Sequence, residues 1–334
     1  MGTDRRGRDN AGRVAPDRRI AVVANPLHPR SARAIARLRR ECEVSGLAPP
    51  VVRETTITEP GTRQALDAVD DGADVVVAVG GDGTVGEVAA ALAGTGLAVG
   101  IIPTGTANLY ARNVGLHGLG KALTVAVAVA GTPRPADLGR VTLTTTHGVI
   151  ERVFLIVVGI GHDAHTVADV STRGKRRAGW LAYLGPGLRR LGAPPVPLRA
   201  SLDGGPWQEV HAWSVLVANT VRLPFGIEVV PGARPNDGVL HTAIVSPRTT
   251  SQWLGVAATG MRAHRLAQRP ARTPLGLSYR RGASLRLESD IARPAHVDGD
   301  VVPDVISLQA HIEPGVLRVQ TLPVRHAPEH PPRA

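Results

Sequence analysis

Lysine, cysteine and aromatic residues are scarce in this sequence of 334 residues. Cys42 is the only cysteine, which excludes an internal disulfide framework and a thiolate zinc site. Aromatic residues make up 3% of the chain, too few for a base-stacking surface, so no nucleic-acid partner is predicted. No apolar run reaches the ~18 residues of a membrane span, and the arginine-rich N-terminus lacks the apolar core of a signal peptide. We therefore expect a cytoplasmic protein that contacts membranes only peripherally.

The charge of the chain is strongly positive, at +11, and nearly all of it comes from arginine. Lys121 and Lys175 are the only lysines, which indicates a coding bias toward arginine as much as a function. The charge favours an anionic partner such as a nucleotide or an anionic membrane surface. A hydrophobic content of 43% and a charged content of 20% are typical of a globular protein long enough for two domains.

Apolar strand patterns alternate with amphipathic helix patterns in the first part of the chain. This alternation predicts an α/β domain with a parallel sheet covered on both faces. The pattern changes near "TPRPADLGRV", and period-two segments that follow predict a β-rich, antiparallel and sandwich-like second domain. The predicted divisions are a disordered tail over 1–18, the α/β domain over 19–135, the β-rich domain over 136–314, a return of 315–325 to the first domain, and a tail over 326–334.

Two helical segments interrupt the β-rich part, "RAGWLAYLGPGLRRL" and "TSQWLGVAATGMRAHRLA". Both combine arginines with tryptophan and leucine. One interpretation is an interfacial segment that binds anionic lipid headgroups and lines an acceptor cleft. The other is a helix packed on the β-rich domain with its arginines in water. The sequence leaves both interpretations open.

A glycine-rich turn, "GGDGTVG", follows a predicted strand and precedes a predicted helix. Its spacing matches the dinucleotide fingerprint, but the next strand ends without the acidic residue that would bind a ribose. No Gly-Lys-Ser or Gly-Lys-Thr motif is present, so the turn is not a P-loop. The carboxylate of Asp82 suits a phosphate site if Mg²⁺ bridges the two. Alternatively, Asp82 supports the turn through its own backbone.

A second Gly/Thr turn follows the next strand, in "GIIPTGTANLYARNVGL". It brings Gly105, Thr106 and Asn108 to the same sheet edge as the first turn. Two helix N-termini that meet at one sheet edge can bind a polyphosphate. The turn "NPLHPR" after the first strand lies at that edge as well.

These two turns together resemble the catalytic domain of the diacylglycerol kinases and the soluble bacterial lipid kinases, relatives of the sphingosine kinases. The resemblance extends through "VVANP", "ADLGRV", "VVGIGHDAHTV", "VVPGARPNDGVL" and "PAHVDGD" in the family's order. It implies a kinase that uses ATP and Mg²⁺. The implied ATP site comprises Asn25, Pro26, Thr55, Thr56, Gly81, Asp82, Gly83, Thr84, Glu87, Gly105, Thr106 and Asn108.

The resemblance also assigns roles to acidic residues. Asp82 would act through Mg²⁺, with Asp137 in a hydrogen-bonded acidic network beneath the metal. Asp298 and Asp300 would lie at the acceptor hydroxyl, with Asp300 in the position of the family's general base. Asp163 would face the acceptor alcohol. Asp237, with nearby backbone carbonyls, would resemble a structural Mg²⁺ site.

Three positions depart from the family's pattern. Gly86 stands where asparagine is common, and Leu109 where an acid is common, which implies fewer groups around the metal. The last motif ends in Asp300 instead of glutamate. The side chain is one methylene shorter, so Asp298 could share or take over the proton transfer, which requires hydrogen-bond distance.

The expected function is the transfer of the γ-phosphate of ATP to the primary hydroxyl of a lipid. Diacylglycerol is the first expected acceptor, giving phosphatidic acid, and a sphingoid base or related alcohol the next. One alternative is a kinase of a soluble substrate, such as NAD or a sugar phosphate, that uses the same GGDGT turn. The other is a non-catalytic nucleotide or lipid sensor. A homodimer is left open.

Overall fold

The computed structural model of the chain describes residues 17–168, 190–220, 230, 232–262 and 275–323. Residues 1–16 of the predicted first tail, the whole of the predicted second tail, and most of "RAGWLAYLGPGLRRL" lie outside this part of the chain. The first-domain elements are β1 (Ile20–Ala24), α1 (Ser31–Val44), β2 (Val51–Glu54), α2 (Thr62–Asp70), β3 (Val75–Gly80), α3 (Asp82–Leu92), β4 (Ala98–Pro103), α4 (Leu109–Asn113) and α5 (Lys121–Ala130).

The later elements are mostly strands, as the period-two pattern predicts. They are β5 (Thr132–Thr145), β6 (Gly148–Phe154), β7 (Val157–Gly161), α6 (His162–Ala168), β8 (Val196–Leu202), β9 (Gln208–Ala212), β10 (Ser214–Ala218), β11 (Leu240–Val245), α7 (Thr250–Arg262), β12 (Leu277–Gly282), β13 (Ser284–Val297) and β14 (Asp300–Thr321). The predicted fold class, an α/β domain followed by a β-rich domain, is confirmed.

The first domain has a parallel sheet in the order β2, β1, β3, β4. Strand β3 is buried along its whole length because helices cover both faces. Val77 points toward α1 and α5, where it packs near Leu38 and Cys42. Val76 points the other way, toward α2 and α3. This is the two-sided burial that the continuous apolar strands predict.

Strand β14 joins the two parts of the chain into one sheet of 14 strands. Most of it pairs antiparallel with β13 and β5, but Arg318 and Val319 pair in parallel with Ala98 and Val99 of β4. The sequence suggests two strands here, "VISLQAHIE" and "VLRVQTLP". The structure forms one strand of 22 residues, with a register shift between Glu313 and Leu317 around Pro314–Gly315.

Helix α6 is absent from the sequence-based prediction, which assigns only a strand end to "VVGIGHDAHTV". Histidine, aspartate, threonine and valine are moderate or weak helix formers, so the local signal is low. Tertiary contacts compensate, because Ala164 is buried and the backbone N–H of Asp163 donates to the Ser214 hydroxyl. The helix places Asp163 over β7.

Asp137 ties three segments together at the junction of the two domains. Its carboxylate accepts hydrogen bonds from the backbone N–H groups of Gly238, at 2.7 Å, and Gly315, at 2.8 Å. Its own N–H donates to the carbonyl of Pro235. Because Asp137 is buried, water would not replace its carboxylate if the side chain were removed. The two N–H groups would then be left without an acceptor.

We expect Asp137→Ala to lower the free energy of unfolding by about 2–5 kcal/mol, because two backbone donors lose their acceptor. Asp290→Ala is the matched control, since Asp290 is exposed on β13. Denaturant unfolding measures both changes. Equal stabilities of the two variants would contradict this role for Asp137.

Candidate functional site

The two glycine turns contact each other at the carboxyl ends of β3 and β4. The N–H of Thr104 donates to the carbonyl of Gly80 at 2.9 Å, which extends the pairing of the two strands up to the turns. A Cβ atom on Gly105 would lie 2.7 Å from Cα of Gly81 and 2.9 Å from Oδ1 of Asn108. Only glycine at position 105 permits this backbone approach.

Several predicted phosphate-site residues also maintain the local fold. Thr84 is buried against Gly80, where a Cβ atom would lie 2.5 Å from the threonine side chain. The carboxylate of Glu87 accepts a hydrogen bond from the Thr62 hydroxyl at the start of α2. By contrast, Gly83 is exposed at the start of α3 with open space around its Cα. The first turn thus leaves its backbone accessible and uses its side chains for packing.

Asp82 connects the first turn to the second. Its Oδ1 accepts a hydrogen bond from the N–H of Tyr110 at 3.0 Å. Burial raises the pKa of Asp82, while the backbone N–H groups of Tyr110, Leu109 and Asn108 and the charge of Arg112 act to lower it. Asp82 therefore caps the helix that follows the other turn. Its partners lie in that turn, which is not the self-supporting role considered from the sequence.

Asn108 occupies the left-handed region of backbone conformation, with φ of 47°. Its Nδ2 donates to the carbonyl of Gly105 at 2.8 Å, whereas its Oδ1 is buried with no hydrogen-bond partner among the described residues. Thr106 is exposed beside it. The second turn therefore presents one accessible hydroxyl, on Thr106, and encloses one amide oxygen, on Asn108, that has no partner among the described residues.

The loops after β1 and β2 reach the same edge of the sheet. Oδ1 of Asn25 accepts a hydrogen bond from the N–H of Leu27 at 3.0 Å, which shapes the turn around Pro26. Thr55 is buried, and its N–H donates to the carbonyl of Ala24. The hydroxyl of Thr56 accepts a hydrogen bond from the N–H of Glu59 within its own loop. These contacts fix the conformations of the loops, and the ATP-binding roles of Asn25, Pro26, Thr55 and Thr56 stay predictions.

Asp298 is held by three consecutive backbone N–H groups. Its Oδ2 accepts from Leu155 at 2.8 Å, and its Oδ1 accepts from Ile156 at 3.0 Å and Val157 at 2.8 Å. Burial raises the pKa of Asp298 to about 6, and the negative charge of Asp82 adds to this effect against the three hydrogen bonds. The two carboxyl groups therefore lie close enough to interact.

Asp300 differs from Asp298 in its surroundings. It is exposed at the start of β14, and its side chain makes no hydrogen bond or ion pair with any described residue. Of the two acids predicted at the acceptor hydroxyl, only Asp298 has its carboxylate fixed by hydrogen bonds to described residues. The general-base role of Asp300 stays a prediction.

Asp237 lies in a turn that it stabilises itself. Its carboxylate accepts hydrogen bonds from the N–H groups of Arg234 and Val239 and pairs with Nε2 of the buried His241 at 2.9 Å. Within the described ranges, no cluster of three or more His, Cys, Asp or Glu side chains is arranged to hold a metal ion. A structural Mg²⁺ at Asp237 would therefore depend on backbone carbonyls, and it stays a prediction.

Asp163 belongs to a polar cluster that the sequence does not reveal. Its Oδ2 lies 2.9 Å from Nε2 of His296, and its Oδ1 accepts a hydrogen bond from the Ser214 hydroxyl. Neither partner has a motif of its own. The one available signal is that His296 precedes Asp298 by two residues, on the strand that leads into the turn at Asp298. Tyr110 is also absent from the predicted site residues. Burial and the charges of Asp137 and Asp298 raise its pKa.

Two of the departures from the family pattern have different structural settings. Leu109 packs against the apolar cluster between the sheet and helices α2 and α3. An acid at that position would have to leave this cluster. Gly86 faces open space, so α3 could accommodate a side chain there without a clash.

The chemistry around Asp82 fits a divalent cation. Mg²⁺ prefers oxygen ligands and commonly binds one or two carboxylates together with substrate phosphates. Asp82 supplies one such carboxylate, and its repulsion with Asp298 is the kind of interaction that a cation relieves. Asp137 binds the N–H groups of Gly238 and Gly315 at the junction of the two domains, and its role beneath the metal stays a prediction.

Comparison with known proteins places this geometry in a family. Residues 19–141 match the diacylglycerol kinase catalytic domain, and residues 156–321 match the YegS C-terminal NAD kinase beta sandwich-like domain. A diacylglycerol kinase of Mycobacterium tuberculosis is 31% identical over 75% of this chain and 70% of its own. A diacylglycerol kinase of Bacillus subtilis is 27% identical over 73% of this chain and 79% of its own length. The chain therefore belongs to the diacylglycerol kinase and YegS-like lipid kinase family.

Solved structures agree on the fold. A structure described as a putative diacylglycerol kinase from Bacillus anthracis superposes with a TM-score of 0.69 and 19% identity. It covers 93% of this chain and 99% of its own. The whole described fold, and not only the glycine turns, is thus shared.

We expect Gly105→Ala to weaken binding of Mg–ATP by about 10-fold or more, because the new Cβ would push the second turn away from Gly81. Gly120→Ala is the control, because Gly120 precedes α5 in an ordinary backbone conformation and the added methyl meets open space. Calorimetric titration measures both affinities. Unchanged binding by the Gly105 variant would show that contact between the turns is not required.

The raised pKa of Asp298 makes stability depend on pH. Its folded value of about 6 exceeds its ordinary value of 3.8, so the folded state binds the proton more tightly. This stabilising contribution is fully present below pH 3.8 and is lost as pH rises through about 6. With chelator present, Asp298→Asn should remove a pH-dependent component of the free energy of unfolding. This component is on the order of 3 kcal/mol between pH 4 and pH 7. Urea unfolding at both pH values tests it; a wild-type-minus-variant difference that stays constant would contradict it.

Proposed function

We propose that this protein transfers the γ-phosphate of ATP to the primary hydroxyl of diacylglycerol, giving phosphatidic acid. The observation that carries the proposal is the contact between the two glycine turns, with Asp82 bridging from one to the other. The exposed start of α3 at Gly83 offers backbone N–H groups that can bind phosphates at this edge. The relatives named diacylglycerol kinase support the acceptor.

In this proposal Asp82 holds Mg²⁺. When bound, Mg²⁺ neutralises charge on the transferring phosphate. The turns at Gly81–Gly83 and Gly105–Asn108 hold the ATP phosphates and exclude alternative orientations. The negative charge that develops on the phosphate in the transition state is then stabilised by groups that are already in place, which lowers the barrier.

Asp298 is the better candidate to accept the hydroxyl proton. A pKa of about 6 lies close to neutral pH, where a general base works well. Its Oδ2 accepts a single backbone hydrogen bond and keeps a lone pair for the hydroxyl. Asp300, exposed and unpaired within the described part of the chain, is the second candidate. Asp163 would face the acceptor alcohol.

The acceptor is expected to reach the site from a membrane surface. None of the described helices is long and apolar enough to cross a bilayer. Helix α7 exposes 68% of Leu254, and the chain carries a charge of +11. Both features suit peripheral binding to an anionic bilayer from the cytoplasm.

Asp82→Asn should reduce phosphate transfer to diacylglycerol by about 1,000-fold or more, because the amide is a poor ligand for Mg²⁺. Asp67→Asn, which only breaks an exposed pair with Arg63 on α2, should leave transfer unchanged. Labelled ATP with a panel of lipids in mixed micelles measures the products, which are identified by mass.

The same panel distinguishes the alternatives. Transfer to NAD or a sugar phosphate, with none to lipid, would show a kinase of a soluble substrate. ATP binding without transfer to any acceptor would show a sensor. Full activity of the Asp82 variant on diacylglycerol would contradict the metal role of Asp82.

A further inference from the structure

A buried polar cluster lies beside the proposed proton-transfer site and is formed by Asp163, Ser214 and His296. Asp163 stands in the first turn of α6, Ser214 begins β10, and His296 lies near the end of β13. The Ser214 hydroxyl accepts the N–H of Asp163 at 3.0 Å and donates to Oδ1 of the same residue. Nε2 of His296 lies 2.9 Å from Oδ2. Both carboxylate oxygens are therefore held by side chains.

The hydrogen bond to Asp163 defines the state of the imidazole. With Oδ2 of Asp163 as the acceptor, the contact assigns a hydrogen to Nε2 of His296. Nδ1 is buried and has no hydrogen-bond partner in the described part of the chain. Leaving a buried polar atom unpaired costs stability, and Nδ1 of His241 is in the same state within the described residues. Among the described residues, the side chain of His296 therefore has one hydrogen-bond partner, the carboxylate of Asp163.

The backbone beneath the cluster packs directly against Asp163 and His296. His296 is directly opposite Gly159 in the pairing of β13 with β7. A Cβ atom on Gly159 would collide with both Oδ2 of Asp163 and Nε2 of His296. Strand β7 begins at Val157, whose N–H binds Asp298. The same strand therefore supports the Asp163–His296 pair and the proposed general base.

We propose that His296 is a positioning residue for the acceptor: through Nε2 it fixes the carboxylate of Asp163 in the orientation that receives the acceptor lipid. This rests on the proposed function, in which Asp163 faces the acceptor alcohol. Ser214 fixes the other carboxylate oxygen. The expected consequence is that loss of His296 weakens use of the lipid without affecting ATP, whose turns belong to β3 and β4.

Two substitutions separate orientation from bulk. Glutamine can place its amide nitrogen where Nε2 of histidine stands, so His296→Gln retains the donor to Asp163 but lacks Nδ1. His296→Leu fills similar space and has no donor. We expect His296→Leu to raise KM for diacylglycerol by about 10-fold, with KM for ATP within about twofold of wild type, and His296→Gln to restore KM for the lipid to within about threefold.

A double-variant comparison identifies Asp163 as the residue through which His296 acts. Asp163→Asn combined with His296→Leu should raise KM for the lipid no further than Asp163→Asn alone, since groups that act through one contact are not additive. Additive effects would overturn the proposal. An unchanged lipid KM in His296→Leu, or a glutamine variant as impaired as the leucine variant, would overturn it as well.

A readout without turnover distinguishes this inference from the kinase proposal. In ¹⁵N-histidine NMR of the full chain, the His296 signals are assigned by their loss in His296→Gln. Dioctanoylglycerol added without ATP should shift them in wild type and not in Asp163→Asn. A lipid-dependent shift with no phosphate transfer would refute the kinase and retain the acceptor site. Normal transfer with no shift would refute the role of His296 alone.

Discussion

The close approach of two glycine turns is the constraint on which the rest of the site depends. Gly81 and Gly105 meet backbone to backbone because their strands, β3 and β4, are neighbours in a parallel sheet. Parallel strands end at the same edge, so both following helices begin there. Asp82 uses this proximity by accepting the N–H of Tyr110 from the other turn. The carboxylate that looks out of place in a phosphate turn is thus a structural link as well as a candidate metal ligand.

The acceptor side of the site is built on β13, which belongs to the same continuous sheet as β3 and β4. Strand β14 pairs with β4 at one end and with β13 over much of its length, and β13 carries His296 before the turn to Asp298. Asp137 fixes the junction by binding backbone groups from two segments. The negative charge of Asp82 contributes to the raised pKa of Asp298, so the two halves of the site interact electrostatically.

The fold was largely predictable because β1 to β4 are short apolar runs separated by amphipathic helices. Where prediction failed, tertiary contacts outweighed the local pattern. The residues around Pro314–Gly315 read as a break between strands, yet β14 continues through a register shift. The sequence "HDAHTVA" gives a weak helix signal, yet it forms α6 over β7. The glycine turns and Asp82 were predictable from spacing. His296 and Ser214 were not, because the resemblance gives no role to the histidine of "PAHVDGD" and Ser214 lies in no quoted motif.

The central claim is that the two turns and Asp82 form a site for nucleotide phosphates that works through Mg²⁺. Calorimetric titration of the wild-type chain with ATP, in chelator and then in excess Mg²⁺, tests it most directly. The structure predicts weak binding in chelator and binding at least about 10-fold tighter with Mg²⁺, because only the cation reconciles Asp82 with phosphate charge. Equal affinity under both conditions, or no binding under either, would contradict this account.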